Sequence, residues 1–175
     1  KFGDKTLLER QLEAYRECGI NDISVVRGYK KEKISYKDLT YYQNDDYENN
    51  NILNSLFYAE EALVGNVVVA YSDILFESAV VKRLLESNAD ISIVVDIDWQ
   101  GYYVDRKDHP VAEAEKVIFN ANNEVLKIGK VLTNKNDVYG EFIGMLKFSA
   151  RGAEIFKKHF HRSKQLYWDQ PFQRA

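Results

Sequence analysis

The chain has 175 residues, 45% of them hydrophobic and 29% charged, which suits one α/β domain with a sizeable core. The formal net charge is -3 and the acidic and basic residues are interspersed, so the composition argues against a nucleic-acid-binding surface. No apolar run approaches the roughly 20 residues that a membrane span needs. The single cysteine, Cys18, excludes an internal disulfide and, with no signal peptide visible, favours the cytoplasm.

The first half of the chain predicts alternating helices and strands. Apolar residues share one face of a helix over residues 6–17, and β-branched runs such as NVVVAY at residues 66–71 predict buried strands. The further predicted helices cover residues 30–34, 51–63 and 76–86, and the further predicted strands cover residues 22–27, 39–42 and 90–95. This alternating order predicts a mostly parallel sheet with right-handed crossovers.

The pattern then becomes richer in strands. Residues 114–119 and 124–131 predict a β-hairpin around a turn at residues 120–123. The remaining predicted elements are a strand over residues 138–148 that contains Gly140 and Gly144, a helix over residues 150–159 and the beginning of another helix over residues 167–175. We therefore expect an α/β half followed by a small β-rich insert.

The first candidate for chemistry is the pair Ser72 and Asp73, which directly follows the strand at residues 66–71. Ligands of open α/β sheets bind beyond the carboxyl ends of the strands. A carboxylate at that position can hold Mg²⁺ against a triphosphate, because Mg²⁺ takes one or two carboxylates together with phosphate oxygens. The alternative is that Asp73 caps the helix that begins near Phe76.

A second group follows the strand at residues 90–95. Asp96 and Asp98 could bind a metal–nucleotide complex as in glycosyltransferases, or could be two solvated loop acids. Trp99 could stack on a base or face a cationic amine. The alternative for Trp99 is packing against the insert.

Several other polar and aromatic residues have two interpretations each. Asn51 and Ser55 could read a base edge, although asparagine is also a good helix cap. Lys130 could balance phosphate charge, or could be a solvated side chain. Glu141 could bind an amine or a hydroxyl group, and Tyr167 could contribute to an amine cage or lie at a helix start. The histidines His109, His159 and His161 show no metal or triad spacing.

Taken together, these segments resemble the nucleotidyltransferase family that activates phosphorylated small alcohols, and in particular its phosphocholine and 2-aminoethylphosphonate cytidylyltransferases. The resemblance extends over nearly the whole chain. It rests on the motifs KTLLERQLEAYRECGI, VVRGYK, NNNILNSLFYAEEAL, VVVAYSDILF, EVLKIGK, GEFIGMLKFS and YWDQPFQRA.

The resemblance implies a Rossmann-like α/β sheet with helices on both faces, and transfer of CMP from CTP to a phosphorylated or phosphonate amine with release of pyrophosphate. Mg²⁺ and lysine would neutralise charge in that reaction. The implied roles are metal and nucleotide binding for Asp73, nucleotide binding for Asn51, Ser55 and Ser72, catalysis for Lys130, and substrate binding for Trp99, Glu141 and Tyr167. Neither nucleic acid nor a membrane is implied as a partner, and a homodimer stays open.

The resemblance also implies two segments outside residues 1–175 of this single domain. One is a glycine-rich phosphate loop before Lys1, and the other is a second metal-binding aspartate after Ala175. We therefore expect residues 1–175 alone to be inactive as a transferase. A sugar-1-phosphate nucleotidyltransferase, a glycosyltransferase that uses Asp96 and Asp98, and a non-catalytic nucleotide-binding domain are the alternatives.

Overall fold

A computed structural model describes residues 3–108, 110–132 and 140–167, with side chains described as far as residue 164. The helices are α1 Leu7–Glu17, α2 Ile52–Phe57, α3 Ser78–Leu85 and α4 Ala150–Tyr167. The strands are β1 Ser24–Arg27, β2 Thr40–Gln43, β3 Val67–Ala70, β4 Ile91–Asp96, β5 Lys116–Phe119, β6 Val125–Gly129 and β7 Gly140–Phe148. These elements confirm the α/β class.

The described strands form two sheets. Strands β1 and β2 pair in parallel, and a five-stranded sheet is built around β7. Both β3 and β4 pair with β7 in antiparallel fashion, so β3 and β4 run in the same direction without touching each other along a ladder. The hairpin of β5 and β6 joins the same sheet through β5. β3 and β4 therefore run in the same direction, as the sequence predicts, but β7 lies between them. Each described pairing within the five-stranded sheet is antiparallel, and the parallel ladder is that of β1 and β2.

Helices cover both faces of the five-stranded sheet. Helices α1 and α3 pack on the face of β7 that carries Met145, where a buried cluster also contains Phe76 and Val81. Helix α4 packs on the other face, because Phe156 contacts Phe148 with 4.7 Å between the ring centroids and side chains of a strand alternate between faces. None of the helices in the described residues is long and apolar enough to cross a membrane.

The beginning of α1 follows from its first residues. The Thr6 hydroxyl accepts a hydrogen bond from the Glu9 backbone N–H, and the Glu9 carboxylate accepts one from the Thr6 N–H. This capping box satisfies two backbone donors that a helix start leaves free. The Thr6 hydroxyl also lies 3.0 Å from the Tyr36 hydroxyl, which connects α1 to the segment between β1 and β2.

Two predicted helices differ in length from the observed ones. The predicted helix over residues 51–63 is α2 followed by a separate 3₁₀ helix, Glu60–Ala62, because the chain turns so that Ala59 and Leu63 both become buried. The predicted helix over residues 150–159 continues as α4 to Tyr167. Neither Gly nor Pro interrupts residues 153–167, so Tyr167 continues the same helix. The rest of the predicted helix over residues 167–175 lies outside the described residues.

Gly144 is the glycine of β7 on which the sheet depends most directly. Its φ is +84°, and a Cβ at this position would lie 2.1 Å from the Tyr71 ring. We expect Gly144→Ala to lower the free energy of unfolding by about 2–4 kcal/mol, because it adds left-handed backbone strain to an overpacked contact. Urea unfolding of the intact protein measures this change.

Gly101→Ala is the matched control, because the added methyl group would meet open space. It should change the free energy of unfolding by no more than about 0.5 kcal/mol. Equal stability of the two variants would show that Tyr71 does not require a glycine at position 144.

Candidate functional site

The candidate site lies at one edge of the five-stranded sheet. Because β3 and β4 run in the same direction, their carboxyl ends meet at one edge, and β7 begins there since it runs in the opposite direction. Asp73 follows β3, Asp96 ends β4, and Glu141 is the second residue of β7. Carboxyl ends of strands are the usual place for ligands in α/β sheets.

The loop that carries Asp73 is held by a buried side chain of α1. Gln11 is 4% exposed, and its amide nitrogen donates to the backbone carbonyls of Tyr71, at 3.0 Å, and Ile74, at 2.7 Å. Ser72 and Asp73, between those two carbonyls, are both exposed. The loop backbone is thus fixed while the two candidate side chains remain accessible.

Asp73 does not cap α3, so the alternative interpretation of this residue is wrong. The helix begins at Ser78 and its N-cap residue is Glu77, which makes no side-chain capping hydrogen bond. Asp73 lies four residues earlier, where its carboxylate is out of reach of the first helical N–H groups. Helix capping therefore does not explain why this position carries an aspartate.

A second carboxylate, that of Glu115, lies near the same loop and affects the Tyr71 hydroxyl. Burial raises the pKa of the Tyr71 hydroxyl, and the negative charges of Glu115 and Asp73 raise the same pKa further. The Tyr71 ring meets Phe142 edge-on, with 6.1 Å between the centroids. Glu115 was not a candidate from the sequence, and the structure places it near the loop that carries Asp73.

Trp99 and Glu141 are brought together by Tyr103. Trp99 is 3% exposed and lies in the 3₁₀ helix Trp99–Tyr103, where its ring packs edge-to-face on Tyr103 at 5.7 Å between centroids. The Tyr103 hydroxyl donates to Glu141 Oε1. Burial, followed by the contact with Glu141, raises the pKa of Tyr103 to about 12, so this phenol keeps its proton at neutral pH.

Strand register places three charged residues in one row of the sheet. Asp96 pairs with Glu141, and Glu141 pairs with Lys116 on the other side, so the three side chains share a face. The Lys116 ammonium donates to the backbone carbonyl of Lys130 at 2.8 Å. Lys130 itself follows the end of β6 and is half-buried, which puts it beside this row.

Asn51 and Ser55 lie on a different part of the chain. Asn51 is the N-cap of α2 and accepts from the Asn54 backbone N–H at 2.9 Å. The Ser55 hydroxyl accepts from the amide of Asn44 at 2.7 Å. Asn44 is 2% exposed, and its amide also pairs reciprocally with that of Asn50 at 2.9 and 3.0 Å. These contacts give the asparagines structural roles, and Ser55 keeps a hydroxyl proton to donate.

The remaining candidates are placed less fully. Tyr167 is the last described residue of α4 and its side chain lies outside the described residues, as do His109 and all of residues 168–175. His161 lies within α4, with Nε2 2.6 Å from Glu60 Oε1.

Asp73 offers a metal ion an exposed carboxylate at this edge. In the described ranges, no group of three or more His, Cys, Asp or Glu side chains could hold a metal ion. An exposed Asp73 nevertheless fits magnesium, which often takes a single protein carboxylate and completes its shell with phosphate oxygens and waters.

Gln11 and Tyr103, like Glu115, are residues of this edge that sequence reasoning missed. Gln11 carried a usable signal, because it lies four residues after Leu7 and four before Tyr15, on the apolar face of α1. A polar residue at such a position must find hydrogen-bond partners in the core. Tyr103 carried no comparable signal.

The fold resembles those of solved nucleotidyltransferases. An inositol-1-phosphate CTP transferase from T. maritima superimposes with a TM-score of 0.68 at 18% identity, covering 90% of this chain and 63% of that one. The CTP:phosphocholine cytidylyltransferase from Streptococcus pneumoniae gives a TM-score of 0.65 at 21% identity, covering 97% of this chain and 71% of that one. The chain therefore shares its α/β fold with these two transferases.

Sequence comparison assigns the family. The family of the MobA-like NTP transferase domain matches residues 1–129, and the chain belongs to that family. It is 24% identical over 160 residues to a CTP:phosphoglutamine cytidylyltransferase from Campylobacter jejuni, covering 85% of this chain and 63% of the relative. It is 36% identical over 82 residues to a choline-phosphate cytidylyltransferase from Streptococcus pneumoniae, covering 45% of this chain and 36% of the relative. The chain thus spans less than two thirds of the length of either relative.

Proposed function

We propose that the protein is a cytidylyltransferase that transfers CMP from CTP to a small phosphorylated or phosphonate amine. The observation that carries this proposal is the Ser72–Asp73 loop, which is exposed at the carboxyl end of β3 and held there by Gln11. The family match over residues 1–129 supports nucleotidyl transfer, and the two cytidylyltransferase relatives support the choice of CTP.

The proposed reaction is an in-line displacement. An oxygen of the acceptor's phosphate or phosphonate attacks the α-phosphorus of CTP, a new P–O bond forms, and the bond to the departing pyrophosphate breaks with its electron pair. No covalent enzyme intermediate is needed, so positioning and charge neutralisation account for the rate. Magnesium, when bound, supplies positive charge to the phosphate oxygens, and Asp73 is the residue proposed to hold it.

The other residues have proposed roles that follow their positions. Ser72, beside Asp73, would bind the nucleotide phosphates, and Ser55 with Asn51 would bind the nucleotide from α2. Lys130, next to the charged row at the start of β7, would stabilise negative charge on phosphate oxygens. The single cysteine and the ordinary charge balance favour a cytoplasmic setting.

Pyrophosphate release by the intact protein tests this function. We expect release with CTP and Mg²⁺ when phosphocholine, phosphoethanolamine, 2-aminoethylphosphonate and phosphoglutamine are supplied in turn, with at least one accepted. Removal of the metal with EDTA should abolish release, because the triphosphate would lose its charge neutralisation. Added Mg²⁺ should restore it.

Other results would select the alternatives. Release with a sugar 1-phosphate in place of every amine would favour a sugar nucleotidyltransferase. CTP binding without release under any condition would favour a binding domain. A matching assay with UTP, GTP and ATP controls for the choice of nucleotide.

A further inference from the structure

Trp99 and Tyr103, the two aromatic residues connected to Glu141, do not offer open ring faces. Trp99 is 3% exposed, and the Tyr103 ring packs edge-to-face against it. The Arg106 guanidinium lies 5.3 Å from the centroid of the Tyr103 ring, so a cation already occupies a place near that ring. A trimethylammonium group, which cannot donate a hydrogen bond, is held by the open faces of several aromatic rings. This arrangement therefore does not suit a quaternary amine.

Glu141 instead offers a hydrogen-bond acceptor in a fixed position. The Tyr103 hydroxyl donates to Oε1, and this bond holds the carboxylate in one orientation. Oε2 has no hydrogen-bond partner within the part of the chain that the structure describes. A carboxylate oxygen that is already oriented can accept from an N–H group of a ligand without further ordering of the side chain.

The charges that face Glu141 favour a cationic donor. Its neighbour in β4 is Asp96, and its neighbour in β5 is Lys116. The Lys116 ammonium is directed to the backbone carbonyls of Lys130, at 2.8 Å, and Ala114, at 3.5 Å. No ion pair between Lys116 and Glu141 is present in the described residues. The negative charge of Glu141 is therefore available to a ligand.

Resting on the proposed cytidylyltransferase function, we propose that Tyr103 and Glu141 determine specificity for the acceptor. Glu141 receives a primary ammonium group of the acceptor, and Tyr103 positions the Glu141 carboxylate for that contact. A primary ammonium has three N–H donors and satisfies Oε2. A trimethylammonium group would leave this carboxylate oxygen without a donor, and polar sites reject ligands that leave their groups unpaired.

Phosphoethanolamine and phosphocholine form the matched substrate pair, because they differ only in three N-methyl groups. With the intact protein, CTP and Mg²⁺, we expect kcat/KM to be at least about 10-fold higher for phosphoethanolamine. 2-Aminoethylphosphonate, which also carries a primary ammonium, should behave like phosphoethanolamine.

Tyr103→Phe tests the positioning role. We expect KM for phosphoethanolamine to rise about 10-fold with a smaller change in kcat, and the preference over phosphocholine to fall by the same factor. Glu141→Gln should remove the preference altogether. Tyr102→Phe is the control, since Tyr102 is the exposed neighbour of Tyr103 and should keep the wild-type ratio. A merely structural defect would lower both substrates equally and leave that ratio unchanged.

The outcomes separate this inference from the function on which it rests. Equal or better use of phosphocholine, or an unchanged substrate ratio in Tyr103→Phe, would overturn the specificity assignment and leave the cytidylyltransferase function standing. Acceptance of phosphorylated alcohols without nitrogen, and of no amine, would also overturn the specificity assignment. That result would leave nucleotidyl transfer standing but not an amine as its acceptor. Failure to release pyrophosphate with every acceptor would remove both.

Discussion

Asp73→Asn should lower kcat of the intact protein by roughly 100-fold or more, which corresponds to about 2.7 kcal/mol of transition-state stabilisation. The variant keeps the size of the side chain and removes the charge proposed to hold magnesium. Pyrophosphate release measured over a range of Mg²⁺ concentrations checks the result, because a weakened metal site also shifts the half-saturating Mg²⁺ concentration upwards. Stability should hardly change, since Asp73 is exposed and makes no hydrogen bond to another described residue.

Asp98→Asn is the control for that experiment. Asp98 is likewise an exposed acid that follows a strand of the same sheet, and its carboxylate makes no capping hydrogen bond in the 3₁₀ helix Trp99–Tyr103. It should retain activity within about 3-fold, as expected of a surface substitution. The reverse pattern, with Asp98 essential and Asp73 dispensable, would support the glycosyltransferase alternative and contradict the assignment of Asp73.

Gln11→Leu should lower the free energy of unfolding of the intact protein by about 2–4 kcal/mol, because two carbonyls at the sheet edge lose their donor. For a domain of this size that loss corresponds to a fall in Tm of roughly 4–16 °C. The loop over residues 71–74 would also lose its connection to α1. We therefore expect kcat to fall about 10-fold or more as Asp73 moves, which differential scanning calorimetry and the pyrophosphate assay would measure together.

Two further variants test whether the two hydrogen bonds of Gln11 cause these losses. Gln11→Glu keeps the shape of the side chain but replaces its donor nitrogen with an oxygen that faces two carbonyls, so it should be at least as harmful as leucine. Glu17→Leu changes an exposed residue of the same helix and should alter the free energy of unfolding by less than about 0.5 kcal/mol. Wild-type stability of Gln11→Leu would show that these two hydrogen bonds do not hold the loop.

Local sequence patterns were sufficient for most of the elements and for the place of Asp73. The apolar run at residues 66–71 predicted β3 because a strand covered on both faces is apolar throughout. The turn at residues 120–123 predicted the β5–β6 hairpin. Lengths were predicted less well: α2 is shorter and α4 longer than expected, because burial of Ala59 and Leu63, and not periodicity, decides where the α2 segment turns.

The arrangement of the candidate site could not be predicted, because it depends on contacts between distant residues. Gln11 bonds a carbonyl 60 residues away, and Tyr103 bonds Glu141 across 38 residues. Trp99 illustrates the difference: its position after β4 left an accessible ring and packing against the insert both open, and the fold buries it against Tyr103. No periodicity within one segment carries such information.

The sequence by itself determined the α/β class and the aspartate that follows β3, since short apolar runs and helix periods are encoded in adjacent residues. Its motifs, taken together, carried the resemblance to a nucleotidyltransferase family. Only the tertiary structure decided that Asp73 is free of the α3 cap and that β7 lies between β3 and β4. It also decided that Glu141 is held by a phenol in place of an open aromatic cage. Those features arise from strand register and side-chain packing, which bring together residues that are far apart in the chain.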